Sequence, residues 1–166
     1  TFTATNARYV RMQGVKRALP YGYSLWEMEV YATVKETAEY GVVSKNKTAT
    51  TSGAETEAMA AANAFDGDEG TRWSSNFADD AWISVDLGKT YAIDKVVLNW
   101  EAAYGKAYKI QTSTDGNNWT TVKDLTNQDG GEDTASFNGT KARYVKFQGV
   151  ERGTGYGYSL WEMEVY

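Results

Sequence analysis

The closing stretch of this 166-residue chain is written twice. Residues 7–31 read ARYVRMQGVKRALPYGYSLWEMEVY and residues 142–166 read ARYVKFQGVERGTGYGYSLWEMEVY. Aligned as 1–31 against 136–166, 21 of 31 positions are identical at a constant offset of 135. That period is too long for a solenoid unit and fits a whole domain. The repeat predicts three parts. Residues 1–31 read as the C-terminal remnant of a preceding homologous repeat, 32–40 (ATVKETAEY) as a polar linker, and 41–166 as the complete domain. The leading copy carries Phe2, Tyr9, Tyr21, Tyr23, Trp26 and Tyr31. It is expected to pack on a neighbouring chain or to swap into the slot of a homologous C-terminal segment.

What the chain lacks narrows its chemistry. It has no cysteine, which removes disulfides, thiolate metal sites and cysteine nucleophiles. It has no histidine either, so Ser-His-Asp and Cys-His catalysis are absent. Net charge is −5 with no Lys/Arg cluster, so no nucleic-acid partner is expected. Apolar runs break within a few residues, and no membrane span is read. The aromatic share, 14% with 12 Tyr and 6 Trp, serves either a β core or a stacking surface for flat ligands.

Strand patterns dominate the complete repeat. Residues 82–87 (WISVDL) alternate Ile83, Val85 and Leu87 against polar or amphipathic neighbours. Residues 93–100 and 108–113 follow, then a turn at 115–118 (DGNN) into 119–125. A second turn at 127–132 (NQDGGE) leads to 134–137, and 143–150 and 158–166 close the domain. Helical periodicity is weak, confined to 57–65, and predicts one short turn at most. About eight short strands joined by polar loops describe an all-β, antiparallel β-sandwich.

Residues 63–75 (NAFDGDEGTRWSS), 82–88 (WISVDLG), 97–104 (VLNWEAAY), 110–119 (IQTSTDGNNW) and 142–166 together resemble a discoidin, or coagulation-factor type C, domain. More narrowly, they are similar to the family 32 carbohydrate-binding modules appended to secreted bacterial glycanases. The resemblance runs from about residue 41 to 166. It implies an eight-stranded jelly roll, a secreted bacterial origin, a polysaccharide or oligosaccharide partner and a non-catalytic role.

One implied site is a metal site. The run Asp66-Gly67-Asp68-x-x-Thr71 places hard oxygen ligands on a tight loop, as Ca²⁺ requires, although an ordinary Asp-rich turn reads the same way. The resemblance implies a structural Ca²⁺ between this loop and the last strand. Its ligands would be the carbonyls of Asn63, Asp68 and Trp161 with the side chains of Asp66, Thr71 and Glu162. Glu162 stands in an otherwise apolar strand, where a carboxylate needs a partner.

The other implied site is the ligand surface, on loops at one end of the sandwich: 54–58, 72–77, 101–104 and 151–156. Sugars offer C–H faces to aromatic rings and hydroxyls to charged planar groups. Arg72, Glu55, Glu101, Phe77 and Tyr156 are the expected contacts, with Tyr104 and Glu57 in reserve. Each has a plainer alternative. Arg72 could pair with Asp66 or Glu162, Glu101 could be a solvated loop acid, Glu55 and Glu57 could open a short helix, and Phe77 could plug a loop. Trp73, Trp82 and Trp119 are read as core.

One Arg beside two Glu suits an ammonium-bearing sugar better than a neutral one. The pattern is similar to family members that bind chitosan, attached to chitosanases and glucanases. Glucosamine oligomers are therefore the expected ligand, with a neutral β- or α-glucan, or discoidin-type adhesion, as alternatives. Paired acids such as Asp79-Asp80 could in principle suggest glycoside hydrolysis. A shallow loop site on a small sandwich neither wraps a sugar nor raises a carboxyl pKa, so no enzyme is read.

Overall fold

The structure, a computed structural model, describes residues 10–30 and 41–166. The linker read over 32–40, and Phe2, Tyr9 and Tyr31 of the leading copy, lie outside the described residues. The chain divides into two units, Thr1–Thr37 and Ala38–Tyr166. In the first, residues 10–30 form no strand or helix.

The second unit is built from seven strands: β1 (Thr48–Thr51), β2 (Trp73–Ser74), β3 (Trp82–Trp100), β4 (Gly105–Ser113), β5 (Thr120–Leu125), β6 (Glu132–Arg152) and β7 (Ser159–Val165). All pair antiparallel in the order β2-β7-β3-β6-β4-β5, with β1 added on β3. The all-β reading stands, and the count differs for a physical reason. β3 runs through both predicted strands 82–87 and 93–100, and its pairing with β6 slips between Asp86 and Tyr91. β6 likewise absorbs 134–137 and 143–150. Each long strand serves two layers. Its pairing near Ile83–Val85 is with β1 and the later half of β6, whereas Val96–Asn99 pairs with β7 and the earlier half. Where at most one short turn is expected, residues 57–65 form two short 3₁₀ helices, Glu57–Met59 and Ala61–Phe65, the second burying Ala61, Ala64 and Phe65.

Strand alternation sends Ile83, Val85, Leu87, Val145 and Phe147 fully inward. Burying each such side chain contributes roughly 1.5–3 kcal/mol. Aromatics fill the centre: Phe147 lies 5.0 Å from Tyr158, 5.1 Å from Tyr108 and 5.5 Å from Trp100, ring to ring. Asp133 enters this core because it is needed there, accepting from Trp100 Nε1 at 2.8 Å and from the Tyr108 hydroxyl at 2.7 Å. Of the three tryptophans expected inside, Trp73 is wholly buried, but Trp82 and Trp119 are only half-buried. Trp119 lies on the surface with Tyr144 at its edge and the Lys146 ammonium 4.4 Å above its ring. It stands just before β5, outside the core in which it is expected.

Candidate ligand-binding site

The shortest ladder in the fold organises the site. β2 pairs with β7 over two residues, Trp73 with Leu160 and Ser74 with Ser159. Backbone bonds hang the surrounding loops from it. Glu55 N donates to Ser74 O at 2.8 Å, Glu101 N to Ser159 O at 3.0 Å, and Ser159 N to Ala103 O at 2.8 Å. Arg72 stands immediately before β2. Asn63 Nδ2 secures that approach by donating to the Arg72 carbonyl at 3.1 Å.

These connections gather Glu55, Arg72, Ser74, Glu101, Thr154 and Tyr156 around one open cavity of about 350 Å³. Four of the expected contacts thus meet in one place. Glu55 Oε2 accepts from Ser74 Oγ at 2.9 Å, and Glu101 Oε2 accepts from Ala103 N at 3.2 Å. Arg72 Nη1 donates to Ser159 Oγ at 2.6 Å. Neither Asp66 nor Glu162 pairs with Arg72, contrary to its plainer reading. Nor does Arg72 form an ion pair with either cavity carboxylate.

Phe77 is exposed beside the cavity, its ring edge-on to Tyr156 at 6.2 Å. An ionic strap joins the two aromatic loops. Arg152 Nε donates to Asp79 Oδ1 at 2.8 Å, and Arg152 Nη1 to the Tyr156 carbonyl at 3.2 Å. That bond from Arg152 holds the Asp79 carboxyl below its usual range. Asp79, one of the two acids weighed for hydrolysis, is thereby occupied as a strap.

Tyr104 does not line the cavity. Its ring is wedged between Gly130 and Gly153, and a Cβ on Gly153 would collide with it. Gly130 also needs its left-handed φ of +86° for that approach. Glu57 is exposed in the first 3₁₀ helix and is likewise absent from the lining. Sequence reasoning missed Ser74, Thr154 and Ser159. The available signal was Ser24, which repeats Ser159 within the duplicated YGYSLWEMEVY.

The Asp-rich loop closes on β7. Asp66 Oδ2 accepts from Thr71 Oγ1 at 2.7 Å, Thr71 Oγ1 lies 3.1 Å from the Asp68 carbonyl, and Gly67 N donates to Glu162 Oε1 at 2.8 Å. Burial first, then the Asp66 charge, pushes the Glu162 carboxyl up to about 7. Among the described residues no cluster of three or more acids is arranged to hold a metal. Two close carboxylates, a hydroxyl and nearby carbonyls nevertheless form an all-oxygen donor set of the kind a hard cation takes.

The loops of this β-sandwich bring an arginine, two carboxylates and an exposed aromatic pair around one open cavity, an arrangement of the kind that binding modules use. The family follows from comparison: residues 46–163 match the F5/8 type C domain, and the chain belongs to that family. It is similar to chitosan-binding module 1 of a chitosanase/glucanase from Paenibacillus sp. IK-5, at 49% identity over 75% of this chain and 98% of that one, with a TM-score of 0.73. Module 2 of the same enzyme, solved in complex with chitotriose, matches at 45% identity over 75% of this chain and 98% of that one, also with a TM-score of 0.73. A polysaccharide lyase 8 family protein, HylA from Enterococcus faecalis, is 40% identical over 88 residues, covering 51% of this chain but 6% of HylA.

Proposed function

We propose that the module binds glucosamine oligomers and so carries a secreted glycanase to chitosan. The observation that supports this most is the cavity itself, where Glu55 and Glu101 flank the site with no cation among the described residues paired to either. Each carboxylate has one oxygen held by a neutral donor and the other open. An ammonium group on a sugar ring meets both needs, charge and hydrogen bonding, and each such bond contributes roughly 1.5–3 kcal/mol. Arg72 offers its remaining guanidinium edge to hydroxyls. Tyr156, braced by Phe77, supplies a face for the C–H side of a ring.

The two chitosan-binding modules at 45–49% identity support this ligand class. The repeated terminal sequence supports a tandem arrangement, in which linked shallow sites gain avidity on one polymer. Among the described residues, no helix is long and apolar enough to cross a bilayer.

The Asp66 loop is proposed to hold a structural Ca²⁺. The side chains of Asp66, Thr71 and Glu162 and the carbonyls of Asn63, Asp68 and Trp161 would be its ligands. Their role is to fasten the loop preceding Arg72 to β7, next to the ladder that carries the site.

Cosedimentation of the chain with insoluble chitosan, chitin and a β-1,3-glucan tests the ligand class. Retention on chitosan, lost in Arg72→Ala, is expected. Equal retention on the neutral glucan would replace the ammonium reading with a general sugar platform built on Arg72 and the aromatics.

A further inference from the structure

Opposite charges sharing one small cavity attract, and an Arg beside two Glu would ordinarily close into a bidentate pair. Here that does not happen. Arg72, Glu55 and Glu101 line the same cavity, yet none is ion-paired with another. Each is tethered instead to a neutral group: Arg72 Nη1 to Ser159 Oγ, Glu55 Oε2 to Ser74 Oγ, and Glu101 Oε2 to Ala103 N. The two serines are direct register partners across β2 and β7, and both are buried, at 2% and 0% exposure. The ladder fixes the backbone of both serines, and burial leaves their hydroxyls little room to move.

From this geometry we infer that Ser74 and Ser159 are positioning residues that hold the charges of the binding site apart, so that they meet the ligand unneutralised. The inference rests on the cavity being the saccharide site, and it deepens that reading by assigning the site's selectivity to a pair of uncharged side chains. Without the Ser159 tether, the guanidinium is free to swing onto Glu55 or Glu101. The site would then satisfy itself, and a ligand would have to break that pair before binding.

A double-mutant cycle on the whole chain decides it. Affinity for glucosamine tetramer is measured by calorimetry for wild type, Ser159→Ala, Arg72→Ala and the double variant, alongside a crystal structure of free Ser159→Ala. If Ser159 acts through Arg72, each single change weakens binding about tenfold, and the double variant is no weaker than Arg72→Ala alone. The Ser159→Ala crystal structure would show Arg72 paired with a cavity carboxylate. Full additivity of the two losses, or unchanged affinity in Ser159→Ala, would overturn the inference. So would an Arg72 that stays off both carboxylates, whichever saccharide the wild type binds. A wild type that ignores the amine tetramer would sink the chitosan reading alone, because the crystallographic arm still judges the serines. Should Ser159→Ala fail to fold, Ser159→Cys keeps the volume with a weak sulfur acceptor and enters the same cycle.

Discussion

Ser74 and Ser159 face each other across the two-residue ladder of β2 and β7, one donating to Glu55 and the other accepting from Arg72. The acid and the base of the cavity are thus anchored on one pair of buried backbone positions. Loops are commonly the variable part of a binding module. Here two of the charged groups, Glu55 and Arg72, are bonded to side chains of the sheet edge.

Glu101 accepts from its own turn through Oε2, leaving Oε1 open to the cavity. Glu101→Gln keeps the shape and removes the charge. Affinity for glucosamine oligomers should fall about 10–100-fold, the loss of one charge-assisted bond. Binding of a neutral glucan should change little. Calorimetry with both ligands measures the difference.

Tyr156 is exposed and meets Phe77 edge-on. Tyr156→Ala should weaken saccharide binding about tenfold without lowering Tm by more than a degree or two, because little of its ring is buried. Phe77→Ala should do the same more mildly, since it braces the Tyr156 ring. Affinity and thermal melts of the two variants check both statements.

Calcium should stabilise the fold by mass action, about 2.7 kcal/mol at a concentration one hundred times its Kd. Adding Ca²⁺ should raise Tm, and a chelator should reverse it. Glu162→Gln should abolish the response while leaving a folded chain, because the buried oxygen that accepts from Gly67 is retained. A Tm indifferent to Ca²⁺ in the wild type would remove the metal from the proposal.

Arg143 grips Asp86 with two bonds of 2.8 Å, Nε to Oδ1 and Nη2 to Oδ2. That contact holds the Asp86 carboxyl near a pKa of about 2, below its ordinary 3.8. A depressed folded-state pKa contributes stability that is complete above the unfolded value and is lost as pH falls toward the folded one. Stability should therefore decline between about pH 4 and pH 2, and Asp86→Asn should flatten that segment of the curve. Denaturant midpoints measured across this pH range test it.

Asp133 receives Trp100 and Tyr108 in the core. Asp133→Ala would strand two buried donors and should cost about 3 kcal/mol of stability. Chemical denaturation of the variant reads this directly.

Much of this was legible from residues alone. Alternation in 82–87 and 143–150 sends Ile83, Val85, Val145 and Phe147 inward, and the structure agrees. β1 was invisible because its four residues, TATT, carry no apolar alternation, and β2 was too short to register. Strand continuity was hidden at Gly88 and Gly139, whose left-handed φ values lie within β3 and β6 close to where their mutual register shifts. Among the expected contacts, chosen on the loops that the resemblance implies, Glu55, Arg72, Glu101 and Tyr156 line one cavity. Tyr104, held in reserve, instead packs its ring between two glycines. Ser74 and Ser159 escaped because their importance lies in cross-strand register, which no local pattern encodes.

The most direct test of the ammonium-reading site is a calorimetric titration of this chain with glucosamine tetramer and with its fully N-acetylated counterpart. The two differ in charge at each amino position and little in their remaining hydroxyls. Heat with the free-amine tetramer alone, reduced in Glu101→Gln, is the expected result. Equal affinity for both tetramers would contradict it, since Glu55 and Glu101 would then be reading something other than charge.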